Sequence, residues 1–382
     1  MREKINILRE FSVPLLAGVA VALIWANLWP ADYHDFVENP FFGPLSFHFV
    51  TNELFMVFFF GIAAVEITQS CLPGGDLNPP RKAVNPLLAT LGGVIGPVAM
   101  YLGLNALIGE PALARGWGIP TATDIALAWL VARLVFGASH PAVSFLLLLA
   151  VADDAIGLAI IAIFYPDPSH PAAPQWIFLV IAGMAVAYLL RSMKIKSYWP
   201  YLLIGGGLCW TGLFKAHLHP ALALAFVIPF LPHSRRESLH IFEDDPHDRS
   251  TLATFEHEWK LFVDFGLFMF GLANAGVMFS GIGTATWLVL MSLLFGKTVG
   301  IFAMSYLGKI LGFPLPEQVG VKELVLIGVV AGIGLTVALF VAGEAFTEPV
   351  VQGAAKMGAL LSGGLAILAI VLGKMLGVRK IH

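Results

Sequence analysis

Apolar runs about as long as a lipid bilayer is thick recur from one end of this chain to the other, and no other sequence feature constrains its fold so tightly. A helix needs about 20 mostly apolar residues to cross the hydrocarbon. Runs that meet this rule lie near residues 12–29, 51–70, 85–108, 120–135, 141–164, 176–191, 199–214, 216–231, 259–280, 285–307, 322–344 and 353–376. Only 12% of the 382 residues are charged and 58% are hydrophobic, whereas a water-soluble domain carries about a quarter charged. The expected fold is an all-α polytopic membrane protein with about twelve transmembrane helices in one domain, 1–382.

Few function classes survive this composition. A net charge of -3 offers no basic surface for nucleic acid and no acidic tail. Cys71 and Cys209 are the only cysteines, too few for a disulfide framework or a cysteine zinc site. Basic residues precede the apolar run at Phe11 as in a signal peptide, but no small-residue cleavage site follows, so the run is expected to remain as the first membrane helix. The positions of lysine and arginine set the orientation. With a cytoplasmic N-terminus, the outer segments hold only Arg115, Lys215 and Lys356, and every other basic residue except Lys297 falls inside. Both termini are then cytoplasmic, and the expected location is the bacterial inner membrane. The polar stretch 232–257 reads as a cytoplasmic linker, and residues 30–50 form an outer loop in which 46–50 can pair as a strand.

Ionisable groups inside spans cost several kcal/mol each and ask for a partner or a task. Glu53, Glu66, Asp124, Asp153, Asp154, Asp264 and Lys297 occupy such positions. Glu53 and Glu66 lie towards the ends of the second span, where capping or snorkelling explains them as well as function does. Asp264 lies shallow enough to be wetted. Asp153 and Asp154 sit side by side in the middle of the run 141–164. Successive helical residues point about 100° apart, so one carboxylate can face a wet cavity while the other meets a neighbouring helix. Lys297 is the only basic residue deep in a span, and Asp153 or Asp154 is its obvious partner; an ion pair that merely braces two helices is the structural alternative. Histidine as a residue type responds to pH near neutrality, which brings the histidines at 217, 219, 233, 240, 247 and 257 into view as pH sensors, although the bland reading is ordinary loop or interface histidines; none shows metal-ligand spacing.

Two spans are interrupted. The fourth carries Pro120, Thr121, Thr123 and Asp124, and the eleventh carries Gly332, Gly334 and Thr336 at the comparable place. Breaks at corresponding places point to inverted repeats whose binding site lies where the two broken helices cross, with freed carbonyls and helix ends available to a cation.

In this order, Ala122-Thr123-Asp124-Ile125-Ala126, Asp153-Asp154, Gly296-Lys297 and Gly332-Ile333-Gly334-Leu335-Thr336 resemble the motifs of the bacterial NhaA sodium/proton antiporter family. Tyr33-His34-Asp35-Phe36, Asn52-Glu53 and Ala273-Asn274-Ala275-Gly276-Val277 extend the likeness over nearly the whole chain. The resemblance implies core helices at about 85–164 and 285–376, and a dimerisation part at about 12–70 and 176–280. It also implies a homodimer in lipid, with sodium, or lithium as an alternative cation, and protons as transported substrates and no cofactor. It makes Asp154, with Asp153, the sodium-binding pair, couples Asp153 to Lys297, and lets Thr123 and Asp124 support the cation. The family's charged cluster after Glu66 is replaced by Ile67-Thr68-Gln69-Ser70, which leaves Glu66, Glu53 and Asp264 as regulatory candidates and places pH control on competition at Asp154. The rival functions are a sodium-coupled symporter of an organic solute, a prenyl-substrate enzyme holding magnesium, and a passive channel; Asp154 lacks the spaced second acid that such an enzyme needs.

Overall fold

The computed structural model describes residues 13–43, 45–72, 80–166, 173–233, 250–378 and 380–381. Basic residues 2–9 and Arg379, and 234–249 within the expected linker, lie outside these. The described residues are almost entirely helical. In chain order the main helices are α1 Val13–Leu28, α2 Phe47–Cys71, α3 Pro80–Ile108, α4 Ile125–Phe136, α5 Pro141–Phe164, α6 Ile177–Ser192, α7 Gly207–Lys215, α8 Thr251–Asn274, α9 Thr284–Ile310, α10 Val321–Ala331, α11 Leu335–Ala345 and α12 Pro349–Met375.

Among the described residues six helices, with α6 extended back to Pro174, are long and apolar enough to cross a membrane alone, and the number is eight if each of two bent pairs is one span. The other expected spans correspond to α1, the π-turn Tyr201–Gly206 with α7, the stretch Pro220–Phe230, and α8, each shorter or more polar than a self-sufficient span. Large aliphatic side chains such as Leu107, Ile163, Ile181 and Ile367 stand exposed on the helices, as a lipid-facing surface requires.

Several expectations give way to local chemistry. Segment 46–50 is no strand: the Ser46 hydroxyl accepts from the Phe49 amide at 3.1 Å and so caps the start of α2. The eighth expected span, 216–231, is two short 3₁₀ pieces, Pro220–Phe226 and Ile228–Phe230, because Pro220 and Pro229 supply no amide to an α-helical ladder. The ninth begins at Thr251 rather than near 259, since the Ser250 hydroxyl caps it by accepting from the Ala253 amide at 3.3 Å; the last part of the expected linker is therefore helix.

Glycines set the tightest packing. Gly92 and Gly96 on α3 face Gly296 and Gly300 on α9. A Cβ added to Gly92 would stand 2.1 Å from the Gly300 carbonyl oxygen, and one on Gly96 would stand 2.2 Å from that of Gly296. Small residues four apart let membrane helices touch backbone to backbone. The contact fixes α9 at the residue next to Lys297, directly after a π-turn at Ser292–Gly296, an element that recurs at functional positions. At the end of the bundle carrying the short helix Pro30–Glu38, Asn52 and Asn274 exchange side-chain hydrogen bonds at 3.2 and 2.8 Å, and the Tyr33 hydroxyl donates to the Leu272 carbonyl at 2.6 Å. Three of the resemblance motifs thus meet in one place.

Candidate functional site

Both interrupted spans break. The 3₁₀ helix Pro111–Thr121 meets α4 at 59°, and α10 meets α11 at 49°. The fourth span thus starts at Pro111, earlier than expected. The breaks touch: the Asp124 amide donates to the Ile333 carbonyl at 2.7 Å. A Cβ on Gly334 would lie 3.0 Å from the Ala122 carbonyl oxygen across the crossing, and one on Gly332 would lie 2.6 Å from the Leu293 carbonyl oxygen of α9, so side chains there would loosen the packing around the breaks.

Asp124 joins the two halves. One carboxylate oxygen accepts from the Leu127 amide at 3.1 Å in the first turn of α4. The other accepts from the Thr336 amide at 3.3 Å and the Thr336 hydroxyl at 3.1 Å in the first turn of α11. The first amides of a helix lack intrahelical partners and carry the positive end of its dipole. A single carboxylate therefore caps two helix N-termini that point at the same spot. Each such cap contributes about 0.5–2 kcal/mol. Asp124→Ala should consequently destabilise the protein by about 1–4 kcal/mol, and Asp124→Asn, which keeps one acceptor oxygen, by less. Thermal unfolding in detergent measures both; equal losses would argue against the double cap.

Beside the crossing, on α5, the neighbouring aspartates differ as their helical phase requires. Asp153 is fully buried. Its Oδ2 accepts from Lys297 Nζ at 2.6 Å and from the Thr123 hydroxyl at 2.8 Å. Lys297, also fully buried, donates to the Thr121 carbonyl at 2.5 Å, and Thr123 lies 2.9 Å from the Ala331 carbonyl oxygen. Lys297 thereby ties α9 to α5 and to the last residue of the 3₁₀ helix. Asp154 remains 9% exposed, and its Oδ1 is buried without a hydrogen-bonding partner among the described residues. The charges of Asp153, Glu66 and Asp124 all act on Asp154. Asp153, Asp154 and Asp124 beside the crossing, with Lys297 committed to Asp153 and the charge of Glu66 reaching Asp154 from α2, form a centre that favours a cation.

The remaining candidates sit elsewhere. Glu66 is buried on α2, whereas Asp264 is half-buried on α8, which packs against α1 and α2. Glu53 lies in the π-turn Val50–Phe55 of α2. Where the charged cluster after Glu66 is missing, the Gln69 amide donates to Glu256 at 2.6 Å, and Glu256 pairs with Lys260 at 3.4 Å. Glu256 escaped sequence analysis because it counted as linker; the Ser250 cap is the signal that would have placed it on a helix. Lys297 is not the only buried lysine. Lys356, expected in an outer segment, is buried on α12.

A model of the family described as Na+/H+ antiporter 1 matches residues 6–378. The chain belongs to the Na+/H+ antiporter 1 family. Members similar to it include the Na+/H+ antiporters NhaA of Geobacter sulfurreducens, 77% identical over the full length of both chains, and of Geobacter metallireducens, 73% identical over the same extent. A more distant member, from a Jannaschia species, is 44% identical over 98% of each chain. Among solved structures, the sodium proton antiporter MjNhaP1 of Methanocaldococcus jannaschii shares the fold with a TM-score of 0.55 at 15% identity, covering 95% of this chain and 91% of that one.

Proposed function

We propose that this member of the Na+/H+ antiporter 1 family exchanges sodium ions for protons, with Asp154 as the group that carries either ion. The observation that supports it most is the contrast between the paired acids: Asp153 is committed to Lys297 and Thr123, while Asp154 keeps a buried oxygen without a donor among the described residues. A carboxylate that holds one cation at a time, a proton or a sodium ion, couples the two flows without further machinery. Asp153 with Lys297 exchanges a further proton as the site turns over. Thr123 orients Asp153 through its hydroxyl, and Asp124 keeps the two half-helices together around the cation.

Alternation of access is assigned to movement of a core, about 85–164 and 285–376, against the remainder. The protein sits in the inner membrane as a homodimer with both termini cytoplasmic. The antiporter family favours exchange over solute symport.

Competition predicts the pH response. Raising sodium displaces protons from the shared group, so the activity midpoint should move to lower pH, by at most about one unit per tenfold sodium, the limit for two ions that exclude each other. Proteoliposomes assayed across pH at several sodium concentrations test this. A midpoint fixed at all concentrations would place control in a separate sensor, with Glu66 or Glu256 the first to examine.

A further inference from the structure

A second cluster of ionisable groups lies well apart in the fold. Glu53 from the π-turn of α2, His219 ahead of the 3₁₀ helix Pro220–Phe226 and Glu344 near the end of α11 bring one ligand atom each to within 4.8 Å of one another. It is at the end of the bundle that carries the Asn52–Asn274 pair, far along α11 from the capped Thr336. Sequence spacing gave no hint of it, because the three residues come from distant parts of the chain.

The orientation of His219 is the decisive observation. Its ring is buried, and Nε2 contacts the Tyr165 backbone carbonyl. A carbonyl only accepts, so Nε2 carries the hydrogen. In the neutral ring Nδ1 therefore bears a lone pair, and it faces Glu344 Oε2 at 3.7 Å, beyond hydrogen-bonding reach. The Nδ1 lone pair and the Glu344 carboxylate, turned towards each other, repel unless a cation lies between them. Zinc ligands lie about 2.0–2.2 Å from the metal, which puts neighbouring ligand atoms in a tetrahedral site about 3.3–3.6 Å apart; His219 Nδ1 and Glu344 Oε2 stand 3.7 Å apart, and the Glu53 oxygen lies within 4.8 Å of both. Metal-bound histidine characteristically donates its other N–H to a backbone carbonyl or carboxylate. Two carboxylates and one imidazole, with a fourth position open to water, suit zinc better than calcium or magnesium, which prefer oxygen alone.

We propose that Glu53, His219 and Glu344 form a binding site for a zinc-type divalent cation. The dication neutralises the two carboxylates. It also ties the end of α11 to α2, and on the alternating-access reading given above that link restrains the core against the remainder and slows exchange. The rival is a proton on Nδ1, which makes an imidazolium beside Glu344, with Lys356, close enough to act on Glu344, balancing the rest.

Purified full-length protein, stripped with chelator, is titrated with zinc by calorimetry and with cobalt by visible absorption. The expected result is one ion per chain, a cobalt spectrum of tetrahedral type, and affinity at least about tenfold weaker in His219→Gln and in Glu344→Gln. Both variants are checked for monodispersity, and the conservative Glu344→Asp should recover part of the affinity. Absence of stoichiometric binding, or binding unaltered in both variants, overturns the site in favour of the proton. Zinc should also slow sodium-driven exchange in wild-type proteoliposomes and not in Glu344→Gln. Binding without that inhibition overturns the restraint, and neither result depends on whether Asp154 carries the ions.

Discussion

Asp154→Asn is expected to reduce sodium-driven proton movement to the level of protein-free liposomes while leaving the protein folded. The amide has nearly the shape of the carboxylate but neither binds a proton near neutral pH nor offers sodium a negative charge. Every other group at the crossing keeps its partner: Asp153 retains Lys297 and Thr123, and Asp124 retains both helix caps. Asp154 Oδ1 is buried with no hydrogen bond from the described residues, so removing its charge also removes a desolvation cost. The melting temperature in detergent should be unchanged or raised. Dye-quench measurement of proton release on sodium addition, with melting on the same preparation, checks both. Normal exchange in this variant would defeat the assignment of Asp154.

The second large effect concerns Lys297. Breaking a buried ion pair by removing one partner costs about 3–5 kcal/mol, because the other charge is left without compensation. Lys297→Ala should fall in that range, since Asp153 is fully buried and the Nζ contact at 2.6 Å is its only charged partner within 4.0 Å among the described residues. Asp153→Asn strands the lysine in turn. Combining the two removes both charges, so the double variant should be more stable than the sum of the single losses by about 0.5–3 kcal/mol. Strictly additive losses would show that the contact contributes no coupling. The Thr121 carbonyl, the other acceptor of Lys297, ties part of the effect to the 3₁₀ helix Pro111–Thr121 and keeps the recovery below complete.

Much of this site was legible from the cost of putting charge in lipid. Residues as expensive as Asp153, Asp154 and Lys297 stand out against an apolar background, and helical phase alone separates the two aspartates. The breaks at Thr121–Asp124 and Gly332–Gly334 were legible because proline, glycine and clustered hydroxyls weaken a helical ladder. The bilayer simplifies the problem, since its thickness fixes how long an unbroken helix runs. Where spans are short or polar, as at 216–231 and 251–274, that ruler fails, and prolines and a serine cap decided the outcome.

The sequence by itself determined the helical membrane class, the acids and the lysine that meet, and the two broken segments, because each follows from local cost. Only the tertiary structure decided that Asp124 caps two helices at once, that Gly92 and Gly96 press against Gly296 and Gly300, and that Glu53, His219 and Glu344 come within reach of one another. Those facts depend on how helices distant in the chain cross, and crossing is set by backbone contact at glycines and by shared hydrogen bonds, which no local pattern of residues encodes.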